Sequence, residues 1–177
     1  VLLALKANPN QLVLDLGTGS GCIAISIAKN SPATSIIASD VSGNALEVAQ
    51  ANAKFHKVEG KIEFIQSNLL EKIDVCPDII VTNLPYIPTQ RIAYLDSSVK
   101  DFEPHLAIDG GDDGFFLYEK LFLQLKQKAL SFKLLVGEID YTHGELAANS
   151  AQAYFPNAEI EIKKDLAHAQ RILTIRQ

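Results

Sequence analysis

The sequence predicts an α/β fold: a mostly parallel sheet with helices on both faces. Three observations carry that prediction. Short apolar runs alternate with longer amphipathic segments, the rhythm of strand–helix–strand units. The first apolar run ends in a glycine-rich turn, Gly17-Thr18-Gly19-Ser20-Gly21. Two strand-like runs near the C-terminal end follow one another without a helix between them, as a closing pair of strands would.

The elements follow in order. Gln11 to Leu16 (QLVLDL) reads as a buried first strand, and Gly21 to Lys29, rich in Ala and Ile, as the helix after it. Ser35 to Ser39 (SIIAS) is a second strand, ending at Asp40. Ala45 to His56 has helical periodicity, with Ala45, Val48, Ala49, Asn52 and Ala53 near one face. Lys61 to Gln66 (KIEFIQ) and Asp78 to Thr82 (DIIVT) are the third and fourth strands. Leu84 to Asp113 is a long, polar, Pro- and Gly-bearing loop, a length that usually marks function or disorder. A helix over Gly114 to Leu130 leads to a fifth strand, Lys133 to Ile139, weakened by Gly137. Thr142 to Tyr154 is a further helix, and Ala158 to Lys163 with Arg171 to Arg176 form the closing pair.

Composition narrows the function classes. With 177 residues, 47% of them hydrophobic and 21% charged, the chain suffices for one domain with a real core. No apolar run approaches the roughly 20 residues of a membrane helix. The apolar start, Val1 to Ala7, lacks the basic residues and cleavage site of a signal peptide. A cytoplasmic location is expected, with an organellar matrix as the alternative. The net charge of −5 argues mildly against a long nucleic-acid footprint. Cys22 and Cys76 predict no disulfide framework and read as small buried hydrophobes. The chain has no Met and opens at Val1, which enters the fold almost at once, so it is expected to be a piece of a longer protein.

The glycine turn predicts a ligand end to the sheet. Glycines at alternate positions let a backbone turn sharply and approach a ligand closely, and open α/β sheets bind ligands beyond the carboxyl ends of their strands. Dinucleotide folds want G-x-G-x-x-G around a pyrophosphate. Here the third glycine comes one residue early, at Gly21, and Cys22 stands where that pattern has Gly. Asp15 precedes the turn, where a carboxylate would repel a pyrophosphate but suit an ammonium group. S-adenosylmethionine, which carries an amino acid moiety, a sulfonium and no phosphate, fits better. Asp40 lies about 20 residues past the turn, where an acid meets ribose hydroxyls. Asn68, after the third strand, is placed to meet the adenine edge. Each has a plainer alternative: Asp15 as a turn cap, Asp40 as the cap of the helix near Ser42, Asn68 as an ordinary turn residue.

The fourth strand runs into Asn83-Leu84-Pro85-Tyr86. An amide nitrogen is a poor nucleophile, because its lone pair is delocalised into the carbonyl. The Asn83 side-chain carbonyl and a neighbouring backbone carbonyl can accept both hydrogens of a substrate NH₂. They would fix the nitrogen and favour the charge that develops on it during transfer. Pro85 stiffens the loop, and Tyr86 can pack on a planar substrate group. The alternative is a plain Asn-x-Pro turn.

This tetrapeptide resembles the Asn-Pro-Pro-Tyr motif of methyltransferases that modify amide or exocyclic amino nitrogens. Phe102-Glu103-Pro104-His105-Leu106-Ala107-Ile108-Asp109-Gly110-Gly111-Asp112-Asp113-Gly114 resembles the F-E-P-x-x-A-L-x-G-G-x-D-G segment of the HemK/PrmC family. The likeness runs from about Leu12 to Arg176. It implies a seven-stranded class I methyltransferase sheet of the Rossmann-like kind, using S-adenosyl-L-methionine. It also implies an enzyme that methylates the side-chain amide of the glutamine in the Gly-Gly-Gln motif of peptide chain release factors. The partner implied is thus a release factor, with no membrane and no direct nucleic-acid binding. Asp15, Gly17, Thr18, Gly19 and Gly21 would lie at the methionine end of the cofactor and Asp40 and Val41 at the ribose. Asn68 and Leu69 would lie near the adenine. Asn83 would touch cofactor and substrate, and Asn83, Leu84, Pro85 and Tyr86 would hold the glutamine.

The sequence departs from that family at three points. Leu84 replaces the first Pro, which keeps the backbone carbonyl and loses stiffness. Asn68 stands where relatives often carry Asp. The family's small N-terminal helical domain is not in this chain, so the whole of it is expected to be the catalytic domain. Glu103 either orders the loop or is a solvated charge, His105 reads as a surface histidine, and Glu138 as structural. His143 and His168 have no ligand spacing, and no metal site is expected. The competing readings are a nucleic-acid exocyclic-amino methyltransferase, a non-catalytic cofactor-binding module and, disfavoured by the glycine spacing, a Rossmann oxidoreductase.

Overall fold

The computed structural model describes residues 10–31 and 34–177. The reading of Val1–Ala7 as leading straight into the fold concerns residues outside these. Five parallel strands and a closing antiparallel pair make one sheet: β1 (Leu12–Leu16), β2 (Ser35–Asp40), β3 (Ile62–Gln66), β4 (Ile79–Thr82), β5 (Leu134–Glu138), β6 (Glu159–Lys164) and β7 (Gln170–Arg176). The order across the sheet is β3-β2-β1-β4-β5-β7-β6. The order reverses between β1 and β4, so their carboxyl ends flank the crevice where such sheets bind ligands. The register sets Leu16 beside Ser39 on one side and Thr82 on the other.

Side chains alternate across the strands and divide the core in two. Val13, Ile36, Ala38, Ile79 and Val81 pack against Ala24, Ile27 and Ala28 of α1 (Cys22–Asn30) and Ala53 of α2 (Gly43–Phe55). Leu14, Leu16, Ile37, Ile80 and Leu135 point the other way. They meet Tyr118, Leu121, Phe122 and Leu125 of α6 (Phe116–Gln127), with Ala147 and Ala151 of α7 (Gly144–Tyr154). Helices therefore cover both faces, as the sequence predicts.

Several boundaries and faces differ from expectation, each for a local reason. On α2 the buried stripe is Leu46, Ala49 and Ala53, while Val48 turns out to solvent. Asn52 is drawn instead toward the glycine turn, where its amide donates to the Ser20 carbonyl at 2.9 Å. Helix α6 begins at Phe116 rather than Gly114, whose φ of 80° is not helical, and it ends before Ala129, at φ 50°. Helix α7 begins at Gly144 because Thr142 is committed to a turn, its backbone N–H and hydroxyl both donating to Asp140. The long loop contains three one-turn helices, α3 (Thr89–Ile92), α4 (Ser97–Lys100) and α5 (His105–Ile108). Pro88 and Pro104 precede α3 and α5, and the Asp96 side chain caps α4. The expectation that Cys22 and Cys76 are buried is wrong: both are exposed free thiols, Cys22 in the first turn of α1 and Cys76 in the turn before β4. Among the described residues no helix is long and apolar enough to cross a membrane.

Candidate active site

The glycine turn is built from backbone bonds. The N–H groups of Gly17 and Thr18 both donate to the Ser39 carbonyl, at 2.8 and 2.9 Å, tying the end of β1 to the end of β2. Gly17, Gly19 and Gly21 all have positive φ, between 56° and 84°, where a β-carbon is strained. A β-carbon on Gly19 would meet no atom within 4 Å, so this glycine opens onto free space at the mouth of the crevice. At Gly21 it would press on Ala49 and Ile25 at 3.1 Å, so the third glycine lets α1 pack closely.

Asp15 lies under the turn, fully buried. Gly21 offers no side chain to cap α1, and Asp15 supplies the acceptor instead. Its Oδ2 takes the Ala24 N–H at 2.9 Å and the Thr18 hydroxyl at 2.7 Å. Its Oδ1 is buried with no partner among the described residues. Burial pushes the carboxyl up to about 6, against the pull of those two hydrogen bonds and with help from the nearby Asp40 charge.

Asp40 ends β2 and uses both oxygens on backbone: Oδ2 takes Gly19 N–H and Oδ1 takes Ser42 N–H, each at 2.9 Å. The helix cap is Ser42, whose hydroxyl accepts from Ala45 N–H, and not Asp40. Val41 is exposed beside it, its carbonyl held by the Gln66 amide. Ser67 N–H donates to the Asp40 carbonyl, so Asn68 emerges next to Asp40. The Asn68 amide donates to Glu71 at 2.6 Å, leaving its carbonyl oxygen out of that bond. Leu69 adopts a φ of 52°, buries its side chain in the core and gives its carbonyl to the Ser67 hydroxyl.

Across the crevice the Thr82 hydroxyl donates to the Leu16 carbonyl at 2.7 Å, joining the ends of β4 and β1. Asn83 follows, exposed, and Leu84 turns inward to 4% exposure. Leu84 Cδ2 lies 3.3 Å from where a Gly17 β-carbon would sit, so the two turns touch. Pro85 and Tyr86 are half-buried. The Tyr86 hydroxyl donates to Glu138 Oε1 at 3.0 Å, and burial, with the Glu138 charge second, pushes the phenol up to about 12.

The second motif is bolted to the first. Ile87 N–H donates to the Ile108 carbonyl and Gly110 N–H to the Ile87 carbonyl, forming a parallel bridge between Ile87 and Asp109. Thr89 donates through its hydroxyl to Asp109 at 2.7 Å, and that bond, with the Gly111 N–H behind it, holds the Asp109 carboxyl below the usual range. A β-carbon on Gly110 would sit 2.8 Å from Tyr86 Cα, and one on Gly114 would collide with the Tyr86 carbonyl. Glu103 and His105 are exposed.

The sequence did not point to the ring of residues behind this loop. Arg91 pairs with the buried Asp140 at 3.3 Å, joining α3 to the end of β5. His143 is buried against Gly114 and lies edge-on to Phe115, its Nδ1 without a partner among the described residues. The one sequence signal of Asp140 and His143 is position, just past the carboxyl end of β5. A cleft of about 620 Å³ opens at the opposite end of the strands near Leu12, Ser35 and Ile62. Those residues begin their strands, so it lies at the amino ends, away from both motifs.

Residues 1–110 match the family model described as methyltransferase small domain. The chain belongs to this methyltransferase family. Its members and fold use S-adenosylmethionine in general. The chain is 34% identical over 176 residues to a protein named release factor glutamine methyltransferase from Lactococcus lactis subsp. lactis, covering 99% of this chain and 64% of that one. It is 37% identical over 177 residues to the protein of that name from Flavobacterium psychrophilum, covering 98% and 61%. The chain thus spans about three-fifths of the length of these relatives. In structure it resembles a ribosomal protein L11 methylase from Lactobacillus delbrueckii subsp. bulgaricus, with a TM-score of 0.69 at 22% identity, covering 99% of this chain and 75% of that one. The seven-stranded sheet is therefore that of a class I methyltransferase.

Proposed function

We propose that this chain transfers a methyl group from S-adenosylmethionine to the side-chain amide of the glutamine in the Gly-Gly-Gln motif of a peptide chain release factor. The observation that carries the reading is the contact between the two turns. Leu84, inside the Asn83–Tyr86 loop, rests on Gly17, inside the glycine turn. A substrate nitrogen held by the first is brought beside a ligand held by the second. The names of the relatives in Lactococcus lactis and Flavobacterium psychrophilum support the choice of substrate.

The residues fit the cofactor. The free space over Gly19 and the unpartnered buried oxygen of Asp15 suit an ammonium-bearing ligand. When bound, the sulfonium supplies the electrophilic methyl. Asp15, Gly17, Thr18, Gly19 and Gly21 frame its amino acid end. Asp40 and Val41 meet the ribose, and Asn68 and Leu69 line the adenine. Asn83 Oδ1 and the Leu84 carbonyl accept the two N–H groups of the glutamine amide, aiming its nitrogen at the methyl. Pro85 stiffens those acceptors, and Tyr86 gives the planar amide a wall. Hydrogen bonds preorganised at a centre that gains positive charge are stronger in the transition state than before it. The product sheds its extra proton to water without a strong base.

The test is transfer of labelled methyl from S-adenosylmethionine to an unmethylated release factor, to the same factor with its glutamine replaced, and to RNA and DNA. Label on the first alone is expected. Label on a nucleic acid, or on both release factors equally, would overturn the substrate assignment.

A further inference from the structure

We infer that Glu138 is a positioning residue for the methyl transfer: its carboxylate grips the Tyr86 hydroxyl and so fixes the aromatic wall beside the substrate amide. This rests on the reading of Asn83–Tyr86 as the substrate loop. Tyr86 is held at its backbone by close glycine contacts, with Gly110 against its Cα and Gly114 against its carbonyl. Those contacts leave its side-chain torsions free. The hydroxyl's bond to Glu138, at 3.0 Å and 52 residues away in sequence, removes that freedom. Bonds to an ionised acceptor are the stronger kind, which suits a clamp.

Glu138 is itself held at its backbone on two sides. It is the last residue of β5, paired in register with Ile172 of β7. Its backbone carbonyl accepts the hydroxyl of Tyr118. Tyr118 is wholly buried, stacked on Phe115 at 5.0 Å, and covers Gly137, where a β-carbon would strike its hydroxyl. The backbone at the end of β5 is therefore held in place, and from it the Glu138 carboxylate reaches the hydroxyl of a tyrosine on the β4 loop. A group that orients a substrate-contacting ring acts on the geometry of attack, to which rates are sensitive at the 1 Å scale.

The experiment measures kcat and KM of the full chain on an unmethylated release factor at saturating S-adenosylmethionine, with cofactor affinity by calorimetry. Glu138→Ala is expected to lower kcat about tenfold, with cofactor affinity unchanged. Glu138→Gln, which keeps an acceptor, should recover most of that loss. Tyr86→Phe should lose as much as Glu138→Ala, and the double variant should be no worse than either, since both break one bond. Wild-type kcat in Glu138→Ala, or losses that multiply in the double variant, overturn the inference. If Glu138→Ala does not fold, Tyr86→Phe decides, because it removes only the hydroxyl: wild-type kcat there overturns it too. An unsubstituted chain that methylates no release factor overturns the proposed substrate and this role together. An active chain indifferent to both substitutions overturns this role alone.

Discussion

Leu84 and Gly17 touch across the crevice, the leucine Cδ2 lying 3.3 Å from the position a glycine β-carbon would take. The residue that departs from the family's motif is thus the one that joins its loop to the glycine turn. Leu84→Ala should cost about 2–5 kcal/mol of stability, the range for a buried leucine, and should weaken cofactor binding through Gly17. Leu84→Pro restores the motif but removes the same packing, so its melting temperature should fall while kcat at saturating cofactor is kept. Thermal melts, calorimetry and turnover on the two variants check both statements. A Leu84→Pro protein as stable as the wild type would show that the contact contributes little.

Asn83→Ala should leave cofactor affinity nearly intact and lower methyl transfer by about 100-fold or more, the usual effect of losing one preorganised group at a charge-developing centre. Asn83 is exposed at the end of β4, so a folding defect is not expected. Single-turnover rates on one release factor substrate, with cofactor saturating, read the effect. Wild-type turnover would reduce the loop to a turn.

Asp40→Ala should weaken cofactor binding by about 1–3 kcal/mol, the scale of a hydrogen bond to a charged group. The same substitution frees two backbone donors, Gly19 N–H and Ser42 N–H, so the melting temperature should also drop. Asp40→Asn, which can still accept from one or both, should recover part of the stability. Unchanged affinity in a folded Asp40→Ala protein would remove Asp40 from the ribose.

Asp15 gives the fold a pH dependence of unusual sign. Its carboxyl is raised from 3.8 to about 6 on folding, chiefly by burial. Between about pH 4 and pH 6 the folded chain holds a proton that the unfolded chain has released, so this group's contribution falls as pH rises through that window. Asp78 and Asp140, both lowered, act in the opposite sense at more acidic pH. Comparing wild type with Asp15→Asn isolates the effect. The variant should be more stable at pH 7, by on the order of 2–3 kcal/mol for a shift of this size, and the gap should close toward pH 4. Denaturant melts at pH 4, 5, 6 and 7 check it, and a constant gap would place the charge elsewhere. The variant should bind cofactor less well, a site kept at the expense of stability.

Much of this architecture is legible in the residues. The strands can be read because most are short apolar runs bounded by turn residues, β6 alternating Glu and Ile instead, and the parallel direction of the first five follows from the segments that cross between them. The glycine turn, Asp40 and Asn83 can be placed because each ends a strand, and strand ends on one side of a sheet share a crevice. What the pattern does not carry is the direction of individual side chains. Val48 and Leu46 are equally apolar, yet α2 buries the second and exposes the first. Tyr86 is an aromatic in the proposed substrate loop, and nothing local says that its hydroxyl meets a carboxylate 52 residues away. The grip of Asp15 on Ala24 is likewise a tertiary consequence, set by a glycine where a cap would stand. The one-turn helices of the long loop escape a search for periodicity because four residues do not complete a repeat.

The bridge between Ile87 and Asp109 pinches the long loop closed at its base. The three short helices above it are then an excursion from a fixed stem, tied to the end of β5 by the Arg91–Asp140 pair, while Gly110 and Gly114 just past the stem pack on Tyr86. A chain cut or lengthened near Leu95 would keep both ends in place, since the entropy of closing such a loop grows only slowly with its size. The excursion carries exposed Tyr94, Phe102 and Leu106. It is therefore the part of the molecule that insertion, deletion or grafting can reshape without resetting the chemistry beneath, and a protease nick there should leave two pieces that stay together.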